Sequence, residues 1–139
     1  MNVNPWVIPD SLRNLPPVGG RIPGFHFIFR ADLGVTHIYV AHRMTLTVDG
    51  TDVSANLWLK WKGQTAGAAD LPETDWIWRA GEAVEVIAEK PGGLAPGQHI
   101  LKLEALMGGT YGGRAASAEP RVLCEFEDDL AVPSNINLR

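Results

Sequence analysis

The stretch GGLAPGQHILKLEALMGGTYGG, residues 92–113, constrains this chain more than any other. Gly92, Gly93, Pro96 and Gly97 dictate a turn. Leu101, Leu103, Ala105 and Met107 then alternate with Lys102, Glu104 and Leu106 at the two-residue period of a half-buried strand. Gly108, Gly109, Gly112 and Gly113 bracket Thr110 and Tyr111, which predicts an aromatic carried on a conformationally permissive loop. A core strand framed by two such loops predicts a rigid scaffold that presents something at its ends.

The same alternation recurs along the chain. Phe25, Phe27 and Phe29 share a face opposite His26, Ile28 and Arg30. Met44, Leu46 and Val48 alternate with polar residues and run into Asp49-Gly50, a strong hairpin signal because a two-residue turn wants positive φ. Its partner strand is expected to start near Thr51 or Asp52. Leu57, Leu59 and Trp61 alternate with Trp58, Lys60 and Lys62, Val84 and Val86 with Glu85 and Ile87, and Val122, Cys124 and Phe126 with Leu123, Glu125 and Glu127. Residues 63–75 and 114–118 read as irregular connections. Six or seven strands with turns between them and no amphipathic helix predict an all-β, single-domain antiparallel β-sandwich over residues 25–130, followed by a polar tail at 131–139.

Residues 1–24 differ. Pro5, Pro9, Pro16, Pro17 and Pro23 exclude a continuous helix or a central strand. Trp6, Val7, Ile8, Leu12 and Leu15 are nevertheless too apolar for a solvated linker. An extended, proline-rich N-terminal arm is therefore expected to lie on a surface, either its own or a partner's.

With 139 residues the chain suits one hydrophobic core without disulfides or metals as staples. Its formal net charge of -4, with scattered basic residues, provides no footprint for nucleic acid or anionic membrane. The lone Cys124 has no internal disulfide partner. With neither a signal-peptide pattern nor a run of membrane-spanning length, a cytoplasmic location is expected.

No catalytic constellation emerges from the residues themselves. His37 and His42 are spaced for opposite faces of a strand, so no metal site is expected, and Glu125, Glu127, Asp128 and Asp129 lack the ligand order of a calcium loop. Cys124 sits at an inward strand position, where a thiol is inert, and neither glycine cluster continues into a phosphate-binding helix. What stands out is surplus aromatic surface. Trp6, Trp58 and Tyr111 are expected to be partly exposed, with Trp78 either joining them or packing with Trp76 in the core. Exposed aromatics on a rigid β scaffold serve sugar or ring stacking or a protein interface.

The Thr47 to Gly50 hairpin, Trp78 before Gly81-Glu82, the turn Gly93-Leu94-Ala95-Pro96-Gly97 leading to Gln98-His99, and Tyr111 beyond that strand together resemble the small β subunit of bacterial C-glycoside deglycosidases. The resemblance implies a two-subunit carbon–carbon lyase. In it a large (β/α)8-barrel α subunit holds a divalent metal, manganese or magnesium, and supplies the acid and base groups, and the small subunit supports the assembly. It also implies cleavage of the bond between a 3-keto sugar and an aromatic aglycone of the flavonoid type, by elimination after loss of the acidified C2 proton. No catalytic residue, metal ligand or cofactor is expected in this chain. Trp6, Val7, Ile8, Leu12 and Leu15 are the expected partner interface, and Tyr111, Gly109 and Gly112 the residues at the edge of the active site. Two other readings stand beside this one: a carbohydrate-binding module, and a scaffold that dimerises through its N-terminal segment.

Overall fold

A computed structural model of the chain describes residues 7–8, 11–31, 37–39, 44–74, 76–79, 81–111 and 114–130, with side chains described at all of these except 31, 37–39, 72–73, 77, 106–111 and 114–130. Eleven strands follow in order: β1 (Arg13–Asn14), β2 (Gly24–Ala31), β3 (His37–Tyr39), β4 (Met44–Val48), β5 (Thr51–Asp52), β6 (Leu57–Trp61), β7 (Gln64–Gly67), β8 (Ile77–Arg79), β9 (Glu82–Glu89), β10 (Gly97–Tyr111) and β11 (Arg114–Leu130). Two short 3-10 turns, Ser54–Asn56 and Ala68–Glu73, are the helical elements among the described residues, none of which is long and apolar enough to cross a membrane. The fold is all-β.

The strands form two antiparallel sheets, ordered β1-β2-β9-β6-β7 and β5-β4-β10-β3-β8, with β11 on the other edge of β10. β10 is the strand on which the second sheet is assembled. It pairs with β4 through Leu101 to Ala105, with β3 through Gly108 to Thr110, and with β11 along its whole length. Its alternation explains why. Leu101 and Leu103 are fully buried and Ala105 nearly so, while Lys102 and Glu104 stay at the surface.

One hydrophobic cluster unites the inward residues of both sheets: Phe25, Phe27, Phe29, Leu57, Leu59, Val84 and Val86 from the first, and Leu46, Val48, Leu101 and Leu103 from the second. Phe29 of β2 meets Trp78 of β8 edge to face at 5.8 Å, an aromatic contact running from one sheet to the other. At the start of β2 a side chain on Gly24 would collide with the Ala88 carbonyl and come within 2.9 Å of the Lys90 nitrogen, so close backbone approach demands glycine there.

Several local expectations hold. Asp49 and Gly50 have φ of 52° and 83°, and Val48 pairs with Thr51 across the predicted two-residue hairpin. Others need correction. Residues 63–75 contain β7 and a 3-10 turn, because Lys62 at φ 50° and Gly63 at φ 77° close a second two-residue hairpin between Trp61 and Gln64. The loop expected from Gly108 to Tyr111 is strand, and so is the connection expected at 114–118. Gly109 pairs with Ile38 on one side and Ala116 on the other, so the ladder overrides the weak strand preference of glycine. The β10–β11 register also slips after Leu103. Cys124 lies opposite Leu103, but Val122 lies opposite Glu104, so the uninterrupted alternation expected along β11 is broken by a bulge.

The N-terminal segment, where described, is woven into the first sheet. β1 pairs with β2 through Arg13↔His26 and Asn14↔Phe25, and Val7 bridges Phe29. The Ile8 amide donates to the Ile28 carbonyl at 2.9 Å. Val7 and Leu12 are 7% and 2% exposed and belong to the common core. An edge position reconciles this with the prolines, since Pro16, Pro17 and Pro23 fall outside the two residues of β1 that pair.

Candidate functional site

Beside β6 the surface opens into a cleft of about 530 Å³, lined by Met44, Ser54 to Trp58 and Gly67 to Asp70. The two 3-10 turns form its walls. They follow from the adjoining strands: β4 and β5 turn at Asp49-Gly50 and the chain enters β6 through Ser54–Asn56, while β7 runs out into Ala68–Glu73. Ser54 Oγ receives the Leu46 amide at 2.8 Å and donates to the Leu46 carbonyl, which ties the first wall to β4.

Trp58 is 40% exposed, the outward member of β6's alternation. Its Nε1 donates to Glu89 Oε1 at 2.8 Å, which fixes the indole plane. The six-membered edge of that indole and the Asp70 carboxylate converge on Gly67: a Cβ there would lie 3.7 Å from Trp58 Cζ3 and 3.3 Å from Asp70 Oδ2. The cleft thus presents a held aromatic beside a carboxylate and the Asn56 amide. Sequence reasoning marked Trp58 but missed Gly67, Asp70 and Asn56. The signal available was the run Gly67-Ala68-Ala69, small residues that leave room beside a large ring.

A second polar constellation lies at the start of β10. The Asp49 amide donates to the Ile100 carbonyl and the Ile100 amide to Asp49 Oδ1, both at 2.8 Å. His99 Nδ1 stands 2.7 Å from Asp49 Oδ2, and its Nε2 stands 2.6 Å from the Ala95 carbonyl. The Ile100 amide and His99 hold the Asp49 carboxyl below the usual carboxylate range. Nearby, the Asn14 side chain both accepts from the Leu94 amide at 2.8 Å and donates to the Leu94 carbonyl at 2.9 Å, clamping the glycine turn onto β1. These bonds are structural clasps between turns, and they join the Asp49-Gly50 hairpin to the Gly93–His99 turn.

The residues singled out from the sequence separate in space. Trp78 is fully buried, with its Nε1 lacking a partner among the described residues, so the core alternative holds for it. Trp76 is buried as well, 5.4 Å from Trp61, and donates to Gln64 Oε1 at 2.9 Å. Tyr111 and Gly109 lie at the far end of β10, where Tyr111 pairs with Arg114, while Trp6 and Gly112 lie outside the described residues. Val7 and Leu12 contribute to this chain's own interior. Ile8 and Leu15, half-buried, are the described members of that set with surface left to offer. Among the described residues, no three His, Cys, Asp or Glu side chains gather closely enough to hold a metal ion.

A family model described as C-glycoside deglycosidase beta subunit matches residues 3–111, which takes in both the Trp58 cleft and the His99 clasp. A search of curated proteins gave no match.

Proposed function

Since this chain belongs to the C-glycoside deglycosidase beta subunit family, we propose that it is the accessory subunit of a two-subunit, metal-dependent carbon–carbon lyase acting on 3-keto C-glycosides. The observation that carries the reading is the family match over most of the chain, because a beta subunit implies an α partner in a hetero-oligomer. The described residues of this chain do not fit the divalent metal, manganese or magnesium, that the reaction calls for, and no chemical step is assigned to them. The metal and the acid and base groups are placed in the partner, a (β/α)8 barrel, and the assembly in the cytoplasm.

In this reading the two sheets supply a stiff platform. Ile8, Leu15 and the exposed Val18 of the N-terminal segment, together with Trp6, face the partner. The end of β10, with Gly109 and Tyr111, reaches the rim of the partner's active site together with Gly112, which lies outside the described residues, and Tyr111 stacks there on the aromatic aglycone. Purified alone, with manganese supplied, the chain is expected to turn over no 3-keto C-glycoside, and mixing it with the α subunit is expected to restore turnover. Turnover by the chain alone would overturn the accessory assignment. Within the assembled pair Tyr111→Ala is expected to lower turnover with an unchanged Tm; normal kinetics with a fallen Tm would instead make Tyr111 a core plug.

A further inference from the structure

We propose that the cleft at Trp58 is a binding subsite for a pyranose sugar, held by this chain independently of any partner. Three observations converge on that ligand. The first is a platform: Trp58 is 40% exposed, yet its indole is fixed by the bond to Glu89, so little side-chain freedom is lost when a ring settles against it. A pyranose offers the matching surface, a face of C–H groups that packs on an aromatic plane.

The second observation is the polar pair beside that platform. Asp70 and Asn56 are exposed at the cleft, and neither side chain has a hydrogen bond or ion pair among the described residues. A carboxylate accepts only, whereas a primary amide both donates and accepts. Sugar hydroxyls, each of which both donates and accepts, offer a partner to either group. A flat arene would stack equally well on Trp58 but would strip water from Asp70 without returning a donor, which costs free energy.

The third observation is room. Gly67 leaves open the corner where the Trp58 ring edge and Asp70 Oδ2 meet, and the cleft's volume of about 530 Å³ falls within the range of small-molecule sites. The backbone at Gly67 is not in the left-handed region, so the missing side chain here is a matter of space.

The test is a titration of the 15N-labelled full chain with methyl β-glucopyranoside, following the Trp58 indole N–H signal, with tetramethylammonium and phenol as rival probes. The sugar is expected to shift the Trp58 signal saturably in the millimolar range. Trp58→Ala, followed instead on the Gly67 backbone amide that lines the same cleft, is expected to abolish binding. Asp70→Ala is expected to weaken it about tenfold, the worth of a hydrogen bond to a charged group, while Thr65→Ala on the neighbouring strand leaves it unchanged. The proposal is overturned if the sugar produces no shift, if Asp70→Ala binds it as well as the parent, or if tetramethylammonium or phenol saturates the site and the sugar does not. Binding is read on the chain alone and lyase activity on the assembled pair, so each reading can fail without the other.

Discussion

His99 Nδ1 lies 2.7 Å from Asp49 Oδ2, and this contact helps join the Asp49-Gly50 hairpin to the start of β10, fifty residues away. The other ring nitrogen faces the Ala95 carbonyl at 2.6 Å. Both ring nitrogens thus face oxygen atoms, and the ring ties the Asp49 carboxyl and the Ala95 carbonyl together at the end of the second sheet.

The pH dependence follows from the carboxylate. Asp49 is held below its ordinary value by the Ile100 amide and by His99. A depressed folded-state pKa adds stability that is complete above the unfolded carboxylate range and is lost as pH falls through the folded value. Asn tolerates the left-handed backbone at position 49, so Asp49→Asn keeps the turn and removes the charge. The variant is expected to melt below the parent at neutral pH, with the gap closing on acidification. A gap that stays constant down to strongly acidic pH would show that the charge contributes nothing.

Glycine placement yields a second expectation. A side chain at Gly24 meets backbone atoms of Ala88 and Lys90, which cannot rotate away. At Gly93, φ is +65° and a Cβ would collide with Asn14 Oδ1, breaking the clamp on Leu94. Gly24→Ala and Gly93→Ala are each expected to cost more than about 2 kcal/mol, a fall in Tm of roughly 5–10 °C. Gly50→Asn, in the open Asp49-Gly50 turn, is expected to cost less than about 1 kcal/mol. Urea unfolding of the three variants ranks them directly.

What was legible in the sequence was the inward face of each strand, because burial on one side of a sheet imposes a period of two at Phe25 to Phe29, Met44 to Val48 and Leu101 to Ala105. The Asp49-Gly50 turn was legible for a local reason too: both residues accept positive φ. Lys62-Gly63 makes the same kind of turn but was missed, since lysine rarely occupies that region and carries no turn signal. The strand character of Gly108 to Tyr111 was hidden for a different reason. It depends on β3 and β11 supplying partners from distant parts of the chain, which no local pattern announces. The cleft was half legible. Trp58 stood out by alternation, whereas Asp70 and Asn56 reach it only through the path of two 3-10 turns.

The two buried tryptophans should respond differently to loss of the indole N–H. Trp76 donates to Gln64 and packs on Trp61, so Trp76→Phe removes a made hydrogen bond as well as ring surface. Trp78 Nε1 has no partner among the described residues, and a buried donor left unpaired costs about 1–3 kcal/mol. Trp78→Phe removes that penalty while keeping an aromatic against Phe29, which offsets the cavity it leaves. Trp76→Phe is expected to destabilise by about 2 kcal/mol and Trp78→Phe by less than about 1. Equal losses in denaturant titrations would mean that packing volume alone governs both sites.

The N-terminal segment offers the sharpest separation of folding from assembly, because neighbouring residues face opposite ways. Leu12 is 2% exposed in the common core, so Leu12→Ala is expected to cost about 2–4 kcal/mol and to lower Tm whether or not a partner is present. Val18 is 72% exposed and, with Arg21, closes a small turn whose tip is Gly19-Gly20. Val18→Asp should therefore leave Tm within about a degree of the parent, as surface substitutions do. If this segment meets the α subunit as proposed, the same charge would be buried without a counter-ion in the complex and should weaken assembly by about tenfold or more. Size-exclusion and calorimetric titration of both variants against the α subunit decide the matter. Full affinity in Val18→Asp would remove this turn from the interface and leave the segment a purely structural part of the first sheet.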